Sequence, residues 1–283
     1  MRSLHTLLAG GAFFEGPRWH DGRWWVSDIF GHRVSAVDTR GQEEEAMTVE
    51  GQPSGLGWMP DGSLLVVSMT DHRILRRSPT GRVTTHADIA RFCGGWANDM
   101  VVDQAGRAYV GNLGSDLFAG ADPQPATLVR VDPDGSAVIA ADALRLPNGI
   151  VLTPDGRTLI VGETMGGRYT AFDVAADGSL SGRRPWAEQL PFGPDGCCLD
   201  ADGYIWCATT RSRCCRIAPG GQIVDEVPLP DELRAYACML GGEDGRTLLL
   251  CAAPSVMRAS RDPSLREAVL LTTTVDVPHA GLP

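Results

Sequence analysis

Residues 147–163 read PNGIVLTPDGRTLIVGE, two short apolar runs flanking Pro154-Asp155-Gly156. An Asp-Gly pair between β-prone runs reads as a hairpin turn, because glycine takes up positive φ without steric cost. Related turns recur as HDG at 20–22, PDG at 60–62, QAG at 104–106, ADG at 201–203 and EDG at 243–245. Their glycines, with Gly156, lie 40, 44, 50, 47 and 42 residues apart. Each turn sits between two such runs, and a third run often follows, as in RVSAVD, TLVRVD and YTAFDV. A repeat of this length, holding three or four strands and no helical period, is the pattern of a propeller blade. Six copies predict an all-β, six-bladed β-propeller, with residues 1–283 forming a single domain. Two packed β-sandwiches are the alternative, but they do not call for one regular period along the chain. Residues 265–275 read as a last strand pairing with residues 4–9, so that terminal strands close the ring and leave no open edge. The interruption at 114–126 reads as a rim loop.

Composition agrees and removes several chemistries. The 283 residues carry 34 glycines and 19 prolines, about a fifth of the chain against a usual ~12%, as many turns require. The formal charge is −10 and there is no basic run, so the footprint for a nucleic-acid backbone is missing. All 25 basic residues are arginine, which excludes lysine Schiff bases and the phosphate-loop lysine. No apolar run approaches the ~18 residues of a membrane span. The first 14 residues lack a signal-peptide cleavage pattern, and the expected location is cytoplasmic. Eight cysteines show no C-x-x-C and no zinc spacing, and they read as small buried apolar residues.

In a propeller the innermost strands surround a central channel, so equivalent positions on them converge. Eight residues before the turn glycines stand Ser54, Asn98, Asn148, Asp195 and Ala237; the first, shorter repeat places Glu15 there. The chain has only three asparagines, and two occupy this ring. The third, Asn112, belongs to a second ring at the end of the following strand, with Asp28, Ser68, Glu163 and Thr209. Carboxylate and amide oxygens without thiolate or imidazole suit one hard divalent cation. Ca²⁺ comes first, with Mg²⁺, Mn²⁺ and Zn²⁺ as alternatives. The plain alternative is a set of polar strand ends around a water-filled channel.

Ordered motifs carry a resemblance as well. They are Glu15-Gly16-Pro17; Asn98-Asp99 with Asp103-x-x-Gly106-Arg107; Pro147-Asn148-Gly149-Ile150 with Pro154-Asp155-Gly156; and Pro194-Asp195-Gly196 with Asp202-Gly203. In these the chain resembles the SMP-30/gluconolactonase/LRE family, which includes regucalcin and sugar lactonases, over nearly its full length. The resemblance implies a six-bladed propeller with one divalent ion in its channel. It implies Glu15, Asn148 and Asp195 as metal ligands, Asn98 as a substrate-side residue and sometimes a fourth ligand, and Asp195 as general base. Sugar-lactone hydrolases of the family place an arginine where this chain has Trp96, two residues before Asn98. Tryptophan offers one donor and a large apolar face, which favours a ring less polar than a plain sugar lactone. Phe14, Trp58, Phe118, Met165 and Phe192 are candidates to extend that wall, and Asn112 is a further candidate substrate contact.

The expected function is therefore a metal-dependent hydrolase of the carboxylic ester type, opening a lactone or related cyclic ester. Asp195, Asn98 and Glu163 are the catalytic candidates, Glu163 standing in for Asp195 as the base. No H-E-x-x-H and no G-x-S-x-G occurs. Two rivals share the architecture. One is a non-hydrolytic propeller enzyme, a strictosidine-synthase-like condensation or an isomerase, built on Glu163 and an apolar pocket. The other is a calcium-binding propeller without catalysis. A small molecule is the expected partner; oligomeric state stays open.

Overall fold

The computed structural model describes residues 2–283. Each repeat forms a four-stranded antiparallel sheet, and six such sheets form a ring, a six-bladed β-propeller. All six turn glycines have positive φ, between 69° and 83°, so the Asp-Gly reading holds at every repeat. Blades one to five are each built from four consecutive strands. Blade six takes three strands from the C-terminal part and its outermost one from the N-terminus. His5–Gly11 pairs antiparallel with Ala268–Thr274, which closes the ring as expected. Seven of the eight cysteines are buried free thiols and the eighth is half-buried. No helix among the described residues is long and apolar enough to cross a membrane.

The innermost strands are Phe14–His20, Pro53–Trp58, Ala97–Val102, Pro147–Leu152, Cys197–Leu199 and Arg234–Gly241. Their pairing slips near the predicted ring positions in five blades, between Glu15 and Arg18, Pro53 and Leu56, Ala97 and Met100, Pro147 and Ile150, and Ala235 and Ala237. In the fifth the regular ladder starts only at Cys197, and Asp195 reaches Ala208 by a single backbone bond of 2.9 Å. A bulge re-aims side chains and ends regular pairing, so this end of every blade opens toward the axis. The opposite, turn end is covered by the C-terminal segment, where Leu282 bridges to Leu152 and His279 to Asp200.

Close approach between neighbouring inner strands depends on small residues just after the ring position. A side chain on Gly55 would strike the backbone of Asp99 and Met100 in the next blade; one on Gly149 would strike the Asp195 carbonyl and Cys197. Backbone cannot yield as a flexible side chain can. Gly55→Ala is therefore expected to cost about 1–3 kcal/mol of unfolding free energy, the usual penalty for overpacking. Urea denaturation measures this, and a variant as stable as the parent contradicts the packing.

Candidate functional site

The ring positions converge. Glu15, Asn98, Asn148 and Asp195 all line one cavity of about 230 Å³ at the bulged end of the channel. Asn148 Nδ2 donates to Asp195 Oδ1 across blades four and five. Ser54 Oγ donates to Asn98 Oδ1 at 3.3 Å, and the Gly16 amide donates to Glu15 Oε2 at 2.8 Å. Asn148 keeps its Oδ1, Asp195 its Oδ2 and Glu15 its Oε1 free of protein donors. Ala237, the sixth ring residue, is buried and packs under Gly196.

The charges do not balance. The cavity lining holds two carboxylates and no arginine or histidine. The nearest cation is Arg18, which is 4% exposed and already committed. Its guanidinium bonds Asp99 Oδ1 at 2.6 Å and the carbonyls of Pro17, Leu56 and Met100 at 2.6–2.9 Å. Asp99, next to Asn98 in the motif, is half of this buried ion pair. Glu15 and Asp195 are thus left to each other. Burial, then the Asp195 charge, pushes the Glu15 carboxyl well above the ordinary range. Burial likewise pushes Asp195 up to about 8, although the Asn148 amide and the Gly196 N–H pull it down. A half-buried Glu15 beside a buried Asp195, without a counter-ion, is a costly arrangement. With Asp99 and Arg18 paired to each other, a single dication would supply the missing two charges. Among the described residues no three His, Cys, Asp or Glu side chains cluster as ligands, so the rest of such a shell would come from the asparagine oxygens and water. That donor set fits a hard cation.

Several expected site residues lie elsewhere. Glu163 is fully buried but does not line the cavity. It accepts from Arg168 Nε and Nη2 at 2.8 and 2.9 Å, Thr170 Oγ1 at 2.5 Å and the Arg145 amide at 2.8 Å. Burial alone would raise its carboxyl, yet these donors hold it below the ordinary value. It is a loop clamp, which also removes the base on which the condensation or isomerase reading depended. Asn112 is buried and spends its amide on Thr127 and the Gly114 N–H. Asp28 likewise binds the Ala12 and Phe13 amides. Trp96 does not line the cavity; it stacks at 4.5 Å behind Phe118, which does. Phe14 packs over Gly11, and its neighbour Phe13 takes the wall position. Trp58, Met165 and Phe192 are also outside the lining.

The inward-facing positions lie one residue beyond the second ring. Ile29, Met69, Leu113, Thr164 and Thr210, each directly following a second-ring residue, line the cavity. In blades one to four these successors stand just past the strand end, and in blade five Thr210 has positive φ, so it is the turning backbone that aims them into the cavity. The wall is consequently split, apolar on blades one to three and hydroxyl-bearing on blades four and five. Phe13 and Tyr236, with ring centroids 4.7 Å apart, and Phe118 add to the apolar part. The six-residue helix Val256–Arg261, capped by Ser255, brings Val256 and Met257 to the rim.

Comparison with known proteins points the same way. The profile of the "SMP-30/Gluconolactonase/LRE-like region" family matches residues 13–254. Regucalcin of Danio rerio is 29% identical over 249 residues, covering 84% of this chain and 82% of that protein. A pentonolactonase of Haloferax volcanii is 29% identical over 212 residues, covering 71% and 67%. The solved structure of regucalcin from Agrobacterium tumefaciens, 19% identical, superposes with a TM-score of 0.81 over 100% of this chain and 97% of that one, a likeness of fold.

The clamp assignment of Glu163 has a pH signature. A carboxyl held below its unfolded value contributes stability that is present at neutral pH and lost as pH falls through the folded value. Glu163→Gln is expected to lose about 1–3 kcal/mol at neutral pH, the scale of hydrogen bonds to a buried charge. The gap should narrow in acid. Equal deficits at pH 7 and pH 4 in urea titrations contradict the clamp.

Proposed function

The chain belongs to the SMP-30/gluconolactonase/LRE-like family, and on that premise we propose that it is a lactonase that uses a divalent cation at the channel mouth. The observation that carries this reading is the uncompensated carboxylate pair, Glu15 with Asp195, beside two asparagines in one cavity. The pentonolactonase relative supports lactones as the substrate class. Glu15, Asn148 and Asp195 would hold the cation, with Asn98 as a fourth oxygen or as a substrate contact, and Ca²⁺ as the first choice. When bound, such an ion supplies Lewis-acid polarisation of the lactone carbonyl.

The chain's own groups supply the rest. Asn148 fixes Asp195 through Oδ1, which leaves Oδ2 to take a proton from an attacking water. Asn98 Oδ1 accepts from Ser54 at 3.3 Å, and its Nδ2, which donates to no described residue, would donate to the ring or to the developing oxyanion. Phe13, Phe118, Leu113 and Met69 exclude water from one flank and favour a ring with an apolar face. With Glu163 turned away, Asp195 is the sole carboxylate left to act as base beside the ligand Glu15.

Hydrolysis of a lactone panel, followed with a pH indicator after chelation and refilling with Ca²⁺, Mg²⁺, Mn²⁺ or Zn²⁺, tests the proposal. Turnover should vanish on chelation and return with one ion, and Asp195→Ala should lower it at least 10²-fold. Full activity in that variant contradicts the assignment. Cation affinity has its own pH dependence. Because burial raises both carboxyls and an ion binds their charged forms, binding must release protons and strengthen as pH rises through about 8. Calorimetric titration at pH 6 and pH 9 should show tighter binding at pH 9; equal affinity contradicts the raised pair.

A further inference from the structure

Beside the cavity, and sharing only Thr210 with its lining, runs a polar groove of about 680 Å³ at the edge of blades five and six. Three guanidiniums line it, Arg211, Arg213 and Arg234, with the carboxylates of Glu226 and Asp231. Arg213 is taken by Glu226 at 3.2 Å. Arg211 and Arg234 are exposed and make no side-chain hydrogen bond or ion pair with any described residue, and three guanidiniums against two carboxylates leave one positive charge over in the lining. A local excess of positive charge on a chain of net charge −10 is a focus for anions. Guanidiniums bind planar or tetrahedral oxyanions through paired N–H donors.

Thr210 joins the two spaces, since it lines both the cavity and the groove. Its backbone is strained. It sits at φ 55°, a region that β-branched residues rarely adopt, and the pairing slips between Ala208 and Arg211. Such outliers persist where a local arrangement is needed. Here the irregular turn puts Thr210 on the cavity wall while Arg211, the next residue, enters the groove. Thr210, on the hydroxyl-bearing side of the cavity, therefore leads into the arginines, while Ile29, Met69 and Leu113 belong to blades one to three.

We propose that the substrate carries an anionic substituent that Arg211 and Arg234 bind in this groove while its ring occupies the cavity. The nature of the ring rests on the lactonase reading; the charge rests on the groove alone. Carboxylate and sulfonate share the required oxyanion chemistry, and the two arms of the test separate them.

In the first arm, hexane-1-sulfonate and uncharged hexan-1-ol are titrated calorimetrically into the parent and into Arg211→Gln/Arg234→Gln. Both arginines are exposed, so the variant should keep the fold. The sulfonate should bind the parent at least about tenfold more tightly than the variant, with a gain that fades at high salt, while the alcohol should not distinguish them. In the second arm, a neutral aliphatic γ-lactone is compared with the same ring bearing a terminal carboxylate. The parent should prefer the anionic lactone about tenfold in kcat/KM, through KM, and the variant should lose that preference. A parent that binds or turns over neutral and anionic probes alike overturns the proposal. If no lactone is turned over, the lactonase reading fails, and the sulfonate arm still decides the groove.

Discussion

Two carboxylates brought together in a desolvated channel, with no cation of the chain's own to meet them, govern this molecule. Backbone packing enforces the encounter. Gly55 and Gly149 let adjacent inner strands approach until a methyl group would collide with backbone, and bulges near the same level release the strand ends toward the axis. Arg18 could have neutralised the pair, but four bonds tie it to Asp99 and to three carbonyls deeper in the channel. Arg18 and Asp99 satisfy each other out of the cavity lining, and Glu15 and Asp195 are the carboxylates left facing the cavity.

That arrangement gives the site a direction. Blades one to three present Ile29, Met69 and Leu113; blades four and five present Thr164 and Thr210 beside Asn148 and Asp195. A ring entering the mouth meets apolar wall on one side and oxygen-rich wall on the other. The polarity is written into successive blades at one strand position, so a single register decision sets the whole wall. Asp28, Asn112 and Glu163, one residue earlier, hold loop backbone at that mouth and keep the wall in place.

Much of this was readable from residue order because the turn glycines act as rulers. Six Asp-Gly-type turns fixed the blade count, and a constant offset from them found Glu15, Asn98, Asn148 and Asp195. The same ruler stopped short on the second strands for a definite reason: in four blades it landed on the last strand residue, and the side chain lining the cavity belongs to the turn just beyond. Glu163 and Asn112 therefore looked like site residues when Thr164 and Leu113 were the ones facing inward. Phe14 and Phe13 repeat the error on the first strand. Trp96 shows a different limit, because its place behind Phe118 depends on how the 114–126 loop folds back, and no local pattern encodes that. Arg18 was invisible for a similar reason, since its partner Asp99 lies 81 residues away.

The most direct test of the central claim is anomalous diffraction from a crystal soaked in Mn²⁺, collected with the protein held above pH 8. A single strong peak in the channel cavity, at coordination distance from oxygens of Glu15, Asn148 and Asp195, is the predicted result. A cavity without a peak at full soaking, or a peak held only by other residues, contradicts it.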